Sequence, residues 1–123
     1  MEDIKYLLKT ELEKLQTKES LISLEDDDYK DIFSEDDISY KKITSDLDSF
    51  EDKFGNLDFI NPKRIVIIIE HSPKMKLYDL ARIMKLISDK VSDGTSILLG
   101  DYVGENLTDE LILKLFIIKK PEI

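Results

Sequence analysis

Two carboxylates, Glu25 and Asp28, are the residues of this chain best suited by type and spacing to chemistry. They stand three apart at the entry to a predicted helix, which places both on one side of the chain. Held beside a phosphate and its metal, such a pair orients and polarises an attacking water. Any acidic run supplies pairs of this kind, and these two belong to the densest one, since eight of the thirteen residues Glu25–Asp37 are acidic. A block of like charge is usually a solvated loop or tail. The same run fails as a calcium loop. A loop opening at Asp26 requires glycine and then a bidentate glutamate where the chain has Asp31 and Asp37.

Other chemistry finds little support. His71 is the single histidine, and its position between an apolar run and Ser72-Pro73 reads as an exposed turn. Adjacent Ser72 is no partner for it, because triad members meet in space from separate segments. Gly55, Gly94, Gly100 and Gly104 are too dispersed for either phosphate-binding glycine motif. A nucleotide's phosphates need several converging backbone amides, which such spacing does not provide. With no cysteine, disulfides, thiolate nucleophiles and ordinary structural zinc sites are excluded. The expectation is a chain with no nucleotide, cofactor or metal site of its own, and no enzyme in its own right.

The elements that must position these residues follow from periodicity. Glu2–Glu19 reads as an amphipathic helix through Ile4, Leu7, Leu8, Leu12 and Leu15, with Glu11 and Lys14 paired on its wet face. Tyr29, Ile32 and Phe33 suggest a short helix over Asp27–Ser34. A strand is predicted over Asp37–Ile43, and a helix capped by Thr44 or Ser45 runs to about Phe54. Ile65–Ile69 has the unbroken β-branched pattern of a central strand covered on both faces. Met75–Val91 is the clearest helix, closed by Gly94, and Ser96–Leu99 is a short strand stopped by Gly100. In the last strand, Glu110–Lys119, Leu111, Leu113, Leu115 and Ile117 point one way, and Ile112, Lys114, Phe116 and Ile118 the other. The order predicts an α/β (α+β) chain: a four-stranded mixed sheet flanked by helices, preceded by a long N-terminal helix. Three segments are expected, namely 1–20 (helix), 21–37 (acidic loop and short helix) and 38–123 (the sheet domain).

Charge divides the 123 residues unevenly. Residues 1–62 carry net −10 and residues 63–123 net +1, for −9 overall. So acidic a chain repels phosphate backbones and anionic membrane surfaces, so nucleic acid is not an expected partner. The longest purely apolar run, Ile65–Ile69, is far short of the roughly 18 residues of a membrane span. Glu2 and Asp3 follow Met1 without a basic, then apolar, signal pattern, which makes a cytoplasmic protein the default.

Arg64–Lys120, containing IVIIIEHSPKMKLYDLARIMKLISDKVSDGTSILLGDYVGENLTDELILKLFII, resembles the C-terminal domain of FtsZ, the tubulin-like division GTPase family. Met75, Leu77, Gly100, Leu107, Asp109 and Glu110 fall at that family's marker positions. Upstream, Leu21–Phe33 (LISLEDDDYKDIF) is similar to the family's activating loop, which follows its long central helix. The resemblance implies that this loop enters the nucleotide site of a neighbouring subunit and supplies the carboxylates that activate hydrolysis. Residue by residue, Ser23 then stands at the family's asparagine, Glu25 at its first aspartate and Asp28 at its second. Glu25 is one methylene longer than the aspartate it replaces, a difference that matters where near-attack geometry is set at the ångström level. The family's N-terminal GTPase domain has no counterpart here, so GTP and Mg come only from a partner subunit. The resemblance therefore implies a cytoskeletal protein that docks on FtsZ-type filaments in cell division, with Ser23, Glu25 and Asp28 at the interface. Two alternatives accompany it: a self-associating scaffold using the Ile112, Phe116 and Ile118 face, or the C-terminal half of a longer GTPase.

Overall fold

The computed structural model describes residues 3–22, 37–59, 62–91, 94–105, 107–108 and 110–119. Helix α1 spans Ile4–Thr17, and Asp3 caps it by accepting a hydrogen bond from the Lys5 amide at 2.9 Å. Strand β1 spans Ile38–Asp46, helix α2 Phe50–Gly55, strand β2 Pro62–His71 and helix α3 Leu77–Ser88. Strands β3 (Ser96–Val103) and β4 (Glu110–Lys119) complete the domain. The sheet order is β1-β4-β2-β3, with β2 and β3 parallel and β4 antiparallel to both β1 and β2. The parallel pair requires a crossover, and α3 supplies it. This is the four-stranded mixed sheet with flanking helices that the sequence predicts.

Boundaries differ where a neighbouring strand offers a longer ladder than local sequence suggests. β1 continues past Ile43 because Thr44, Ser45 and Asp46 find partners in Ile112, Leu111 and Glu110. The turn into α2 is then set by Asp46, whose carboxylate accepts from the Asp48 amide and from the Ser49 amide and hydroxyl at 2.8–3.0 Å. Those bonds hold the Asp46 carboxyl below its usual range, the Ser49 side chain contributing most. Gly100 does not stop β3, since the β2 ladder carries pairing through to His71 opposite Val103.

Both faces of the sheet are covered. Ile65, Ile67 and Ile69 of β2 and Leu111, Leu113 and Leu115 of β4 pack beneath α2 and α3, against Phe50, Phe54, Leu80, Ile83 and Ile87. Arg82 reinforces that layer from above, paired with Glu51 and lying 4.9 Å over the Phe50 ring. On the opposite face, Val66, Ile68, Tyr102, Phe116 and Ile118 pack beneath Leu8, Leu12 and Leu15 of α1. The alternation expected of β4 is therefore observed, but one expectation drawn from it fails. Phe116 and Ile118 are at most 1% exposed, because α1 already occupies the face proposed for self-association.

Candidate functional site

Ser23, Glu25 and Asp28, with the helix expected over Asp27–Ser34, lie outside the described residues. What the structure describes is how the chain is anchored just before them. After α1, the Glu19 carbonyl accepts a hydrogen bond from the Val103 amide at 2.8 Å. The Leu21 and Ile22 amides then donate to the two carboxylate oxygens of Asp101 at 2.9 and 3.0 Å. Asp101 is fully buried on β3 and takes a third hydrogen bond, at 2.7 Å, from His71 Nε2. The other ring nitrogen, Nδ1, faces the Ser72 carbonyl oxygen at 2.7 Å. His71 is thus not the exposed turn residue expected from its neighbours. It is the last residue of β2, 1% exposed, and inside the anchor.

Both partners of the ring are acceptors, so the arrangement suits an imidazolium donating from both nitrogens. Burial opposes that charge. The hydrogen bonds to Asp101 and Ser72, and the negative charges of Asp101 and Glu19, outweigh it and hold the ring's pKa above the ordinary histidine value.

A second polar group lies between α1 and the sheet. Lys114 of β4 donates to Glu11 of α1, to Glu70 of β2 at 3.0 Å and to the Tyr102 hydroxyl of β3 at 2.8 Å. The Tyr102 hydroxyl lies 3.0–3.2 Å from oxygens of Glu11 and Glu70, and it has one proton to give. Lys14 closes the group, 3.2 Å from Glu11. Glu11 does pair with Lys14, as the sequence suggests, but the pair is not on a wet face, since Glu11 is 1% exposed. Burial works against ionisation of Glu70 and Lys114, yet hydrogen bonding wins: Lys114 holds Glu70 below its usual range, and Glu11 and then Glu70 hold Lys114 above its own. Burial, together with the charges of Glu11 and Glu70, pushes the Tyr102 phenol well above its normal pKa.

The sequence carries a signal for this group. Lys114 sits on β4 in line with Phe116 and Ile118, and Glu11 falls in the Leu8, Leu12 and Leu15 stripe of α1. A lysine and a glutamate, each alone on an inward face, need one another. Two lysines and two glutamates leave it near neutral. With its acids and bases engaged mutually, it locks α1 to three strands. A cleft of about 280 Å³ opens beside it, lined by Lys14, Lys18, Glu70, Tyr102, Gly104 and Glu105.

Gly104 tests whether a phosphate fits here. A Cβ on Gly104 would lie 2.5 Å from Glu70 Oε2 and 2.8 Å from Leu107 Cδ1. The glycine is needed for close approach to a carboxylate, the wrong neighbour for an anion. Gly55 and Gly94 face open space, so these three described glycines converge on no phosphate cradle. Gly104→Ala is expected to push Glu70 from Lys114 and lower stability by about 1–3 kcal/mol, read from urea unfolding.

Of the four large apolar residues exposed among the described residues, Leu21, Leu77 and Tyr78 lie close in sequence to the anchor, and Tyr6 lies near the start of α1. Leu21 (40% exposed) is bonded to Asp101, while Leu77 (58%) and Tyr78 (69%) open α3 six and seven residues after His71. Exposed Lys74 and Lys76 lie in the same connection.

No protein-family model matches the sequence, and neither does any curated protein. Solved structures do match in fold. An empty FtsZ dimer from M. jannaschii aligns with 89% of this chain and 35% of its own, at TM-score 0.70 and 18% identity. A point-mutant FtsZ from M. jannaschii aligns with 96% of this chain and 42% of its own, at TM-score 0.69 and 17% identity. CetZ from Methanosaeta thermophila aligns with 93% of this chain and 35% of its own, at TM-score 0.54 and 11% identity. The fold is FtsZ/tubulin C-terminal-domain-like, and the chain spans roughly two fifths or less of the solved chains it matches.

Proposed function

We propose that this chain docks on the nucleotide-holding face of an FtsZ-type GTPase subunit and thereby caps or tunes its filaments. The observation that carries this reading is the fixed root of the acidic segment. Asp101 pins Leu21 and Ile22 at the end of the sheet where Leu77 and Tyr78 stand exposed. Exposed aromatic and aliphatic side chains with polar neighbours are the composition of a docking end.

Head-to-tail contacts are heterologous, and a filament grows only if each subunit carries both complementary faces. A subunit offering one of them joins an end and stops extension. GTP and its Mg ion belong to the partner in this reading, and Ser23, Glu25 and Asp28 approach it from this chain. The carboxylates of Glu25 and Asp28 orient a water towards the partner's terminal phosphate, the role general-base groups play in phosphoryl transfer.

Sedimentation of an FtsZ-type GTPase with increasing amounts of this chain tests the docking, and the pelleted fraction is expected to fall. A GTPase whose hydrolysis waits on a neighbour's carboxylates turns over slowly when dilute, so excess chain is expected to raise that dilute turnover. Asp28→Asn is expected to remove about 10²-fold or whatever lesser gain is seen, while binding persists. Unchanged pelleting and turnover at excess would overturn the proposal.

A further inference from the structure

We infer that His71 and Asp101 form a proton-gated clasp, which fixes the chain at Leu21–Ile22 while His71 carries both ring protons and loosens when it loses one. Five groups meet here: the Asp101 carboxylate, the Leu21 and Ile22 amides, the His71 ring and the Ser72 carbonyl. Asp101 accepts from the Leu21 amide, the Ile22 amide and His71 Nε2, so one carboxylate joins α1's exit to the end of β2. His71 can offer Nε2–H to Asp101 and Nδ1–H to the Ser72 carbonyl only as an imidazolium.

A neutral ring has one donor. Whichever nitrogen is bare then points a lone pair at an acceptor oxygen 2.7 Å away, in a site 1% exposed or less. An unpaired acceptor contact of that kind costs free energy in a buried site, and water entry or displacement of Asp101 relieves it. Displacing Asp101 frees both amides it holds.

The charged groups acting on the ring are Asp101 from β3 and Glu19 from the segment leaving α1, with the Ser72 carbonyl from the following turn. From β4, its register partner is apolar Leu111. Both charges are negative and favour the imidazolium. Because the folded-state pKa of His71 is raised, its stabilisation is fully present below the unfolded value of roughly 6.5 and is lost as pH climbs through the folded value. The window therefore lies above pH 6.5.

His71 is the sole histidine, so its ring resonances report the titration without ambiguity. Hydrogen exchange of the Leu21 and Ile22 amides, corrected for the intrinsic base-catalysed rate, reports the clasp. Protection of these two amides relative to Ile67 in β2 is expected to fall about tenfold or more, with the midpoint read from the ring. His71→Gln keeps a donor towards Asp101 without a titration, and is expected to give protection independent of pH. Asp101→Asn is expected to lower the His71 midpoint. Circular dichroism establishes that each variant is folded, and the wild-type pH series decides alone if either is not. Protection that ignores pH in the wild-type chain, or follows a midpoint other than that of the ring, overturns the inference.

The clasp bears on the proposed docking because it holds the root of the docking segment, and binding to an FtsZ-type GTPase should then weaken through the same midpoint. The two claims fail separately. A clasp that titrates while docking is absent removes the docking reading and leaves the clasp intact, whereas docking that persists unchanged through the midpoint removes only the link between the two.

Discussion

Lys114→Met is expected to lower folding stability by about 3–5 kcal/mol, measured by urea unfolding followed by far-ultraviolet circular dichroism. The chain has no tryptophan, which makes backbone signal the practical probe. Methionine matches the lysine stem in volume, so the loss is electrostatic. Glu11 is 1% exposed and would keep Lys14 and the Tyr102 hydroxyl but lose its buried cation. Glu70 would lose the same cation. Glu11→Leu combined with Lys114→Met removes both buried ends together, and is expected to return to within about 1.5 kcal/mol of wild type. Glu70 tolerates the double change because its side chain, 20% exposed, reaches water. The contrast between single and double variants carries the argument. A single-variant loss below about 1 kcal/mol would mean that water already solvates the group. Acid sensitivity provides a second reading. Glu70's lowered pKa contributes stability above the unfolded value of about 4.3, and that stability is lost as pH falls through the folded value. Lys114→Met should flatten this part of the profile.

How far the sequence reveals the fold depends on whether a residue's role is decided locally. β2 shows its two-sided burial through five consecutive β-branched residues, and β4 through strict alternation; both stand in the structure as expected. β1 and β3 run further than their own residues suggest, because their length is set by the ladders of β4 and β2. His71 misleads for the same reason. Its sequence neighbours Ser72 and Pro73 mark a turn, while its burial comes from Asp101, thirty residues away on a strand that reads as ending two residues earlier. Glu11 and Lys114 are separated by 103 residues, and each looks like an ordinary charged surface residue until the two faces are superposed. The pair proposed for chemistry, Glu25 and Asp28, was legible as residue types. Both lie outside the described residues, and what the structure adds is the Asp101 anchor at Ile22, three residues before Glu25, which no local pattern announces.

The largest effect on docking is expected at the N-terminus of α3. Leu77→Glu combined with Tyr78→Glu should weaken binding to an FtsZ-type GTPase by about 100-fold or more, measured by sedimentation or titration calorimetry. Truncating a central aromatic anchor typically costs 2 kcal/mol or more, and each 1.4 kcal/mol is tenfold in affinity. Glutamate goes beyond truncation, because it places two anions against a face that already holds nucleotide phosphates. The same change should leave the fold within about ±0.5 kcal/mol. Leu77 and Tyr78 are 58% and 69% exposed, so little packing is lost. They are also the first two residues of α3, where negative side chains suit the helix dipole. Arg82 loses its contact with the Tyr78 ring, at 5.5 Å, but gains an acid four residues before it on the same helix face. Tyr6→Glu is the matched control. Tyr6 is equally exposed at 69%, but it sits near the start of α1, about 16 Å along the helix from the end that leads to the anchor. Binding is expected to survive that change. Equal losses from both sites would point to general repulsion between an acidic chain and an anionic partner, and would remove the α3 end from the interface.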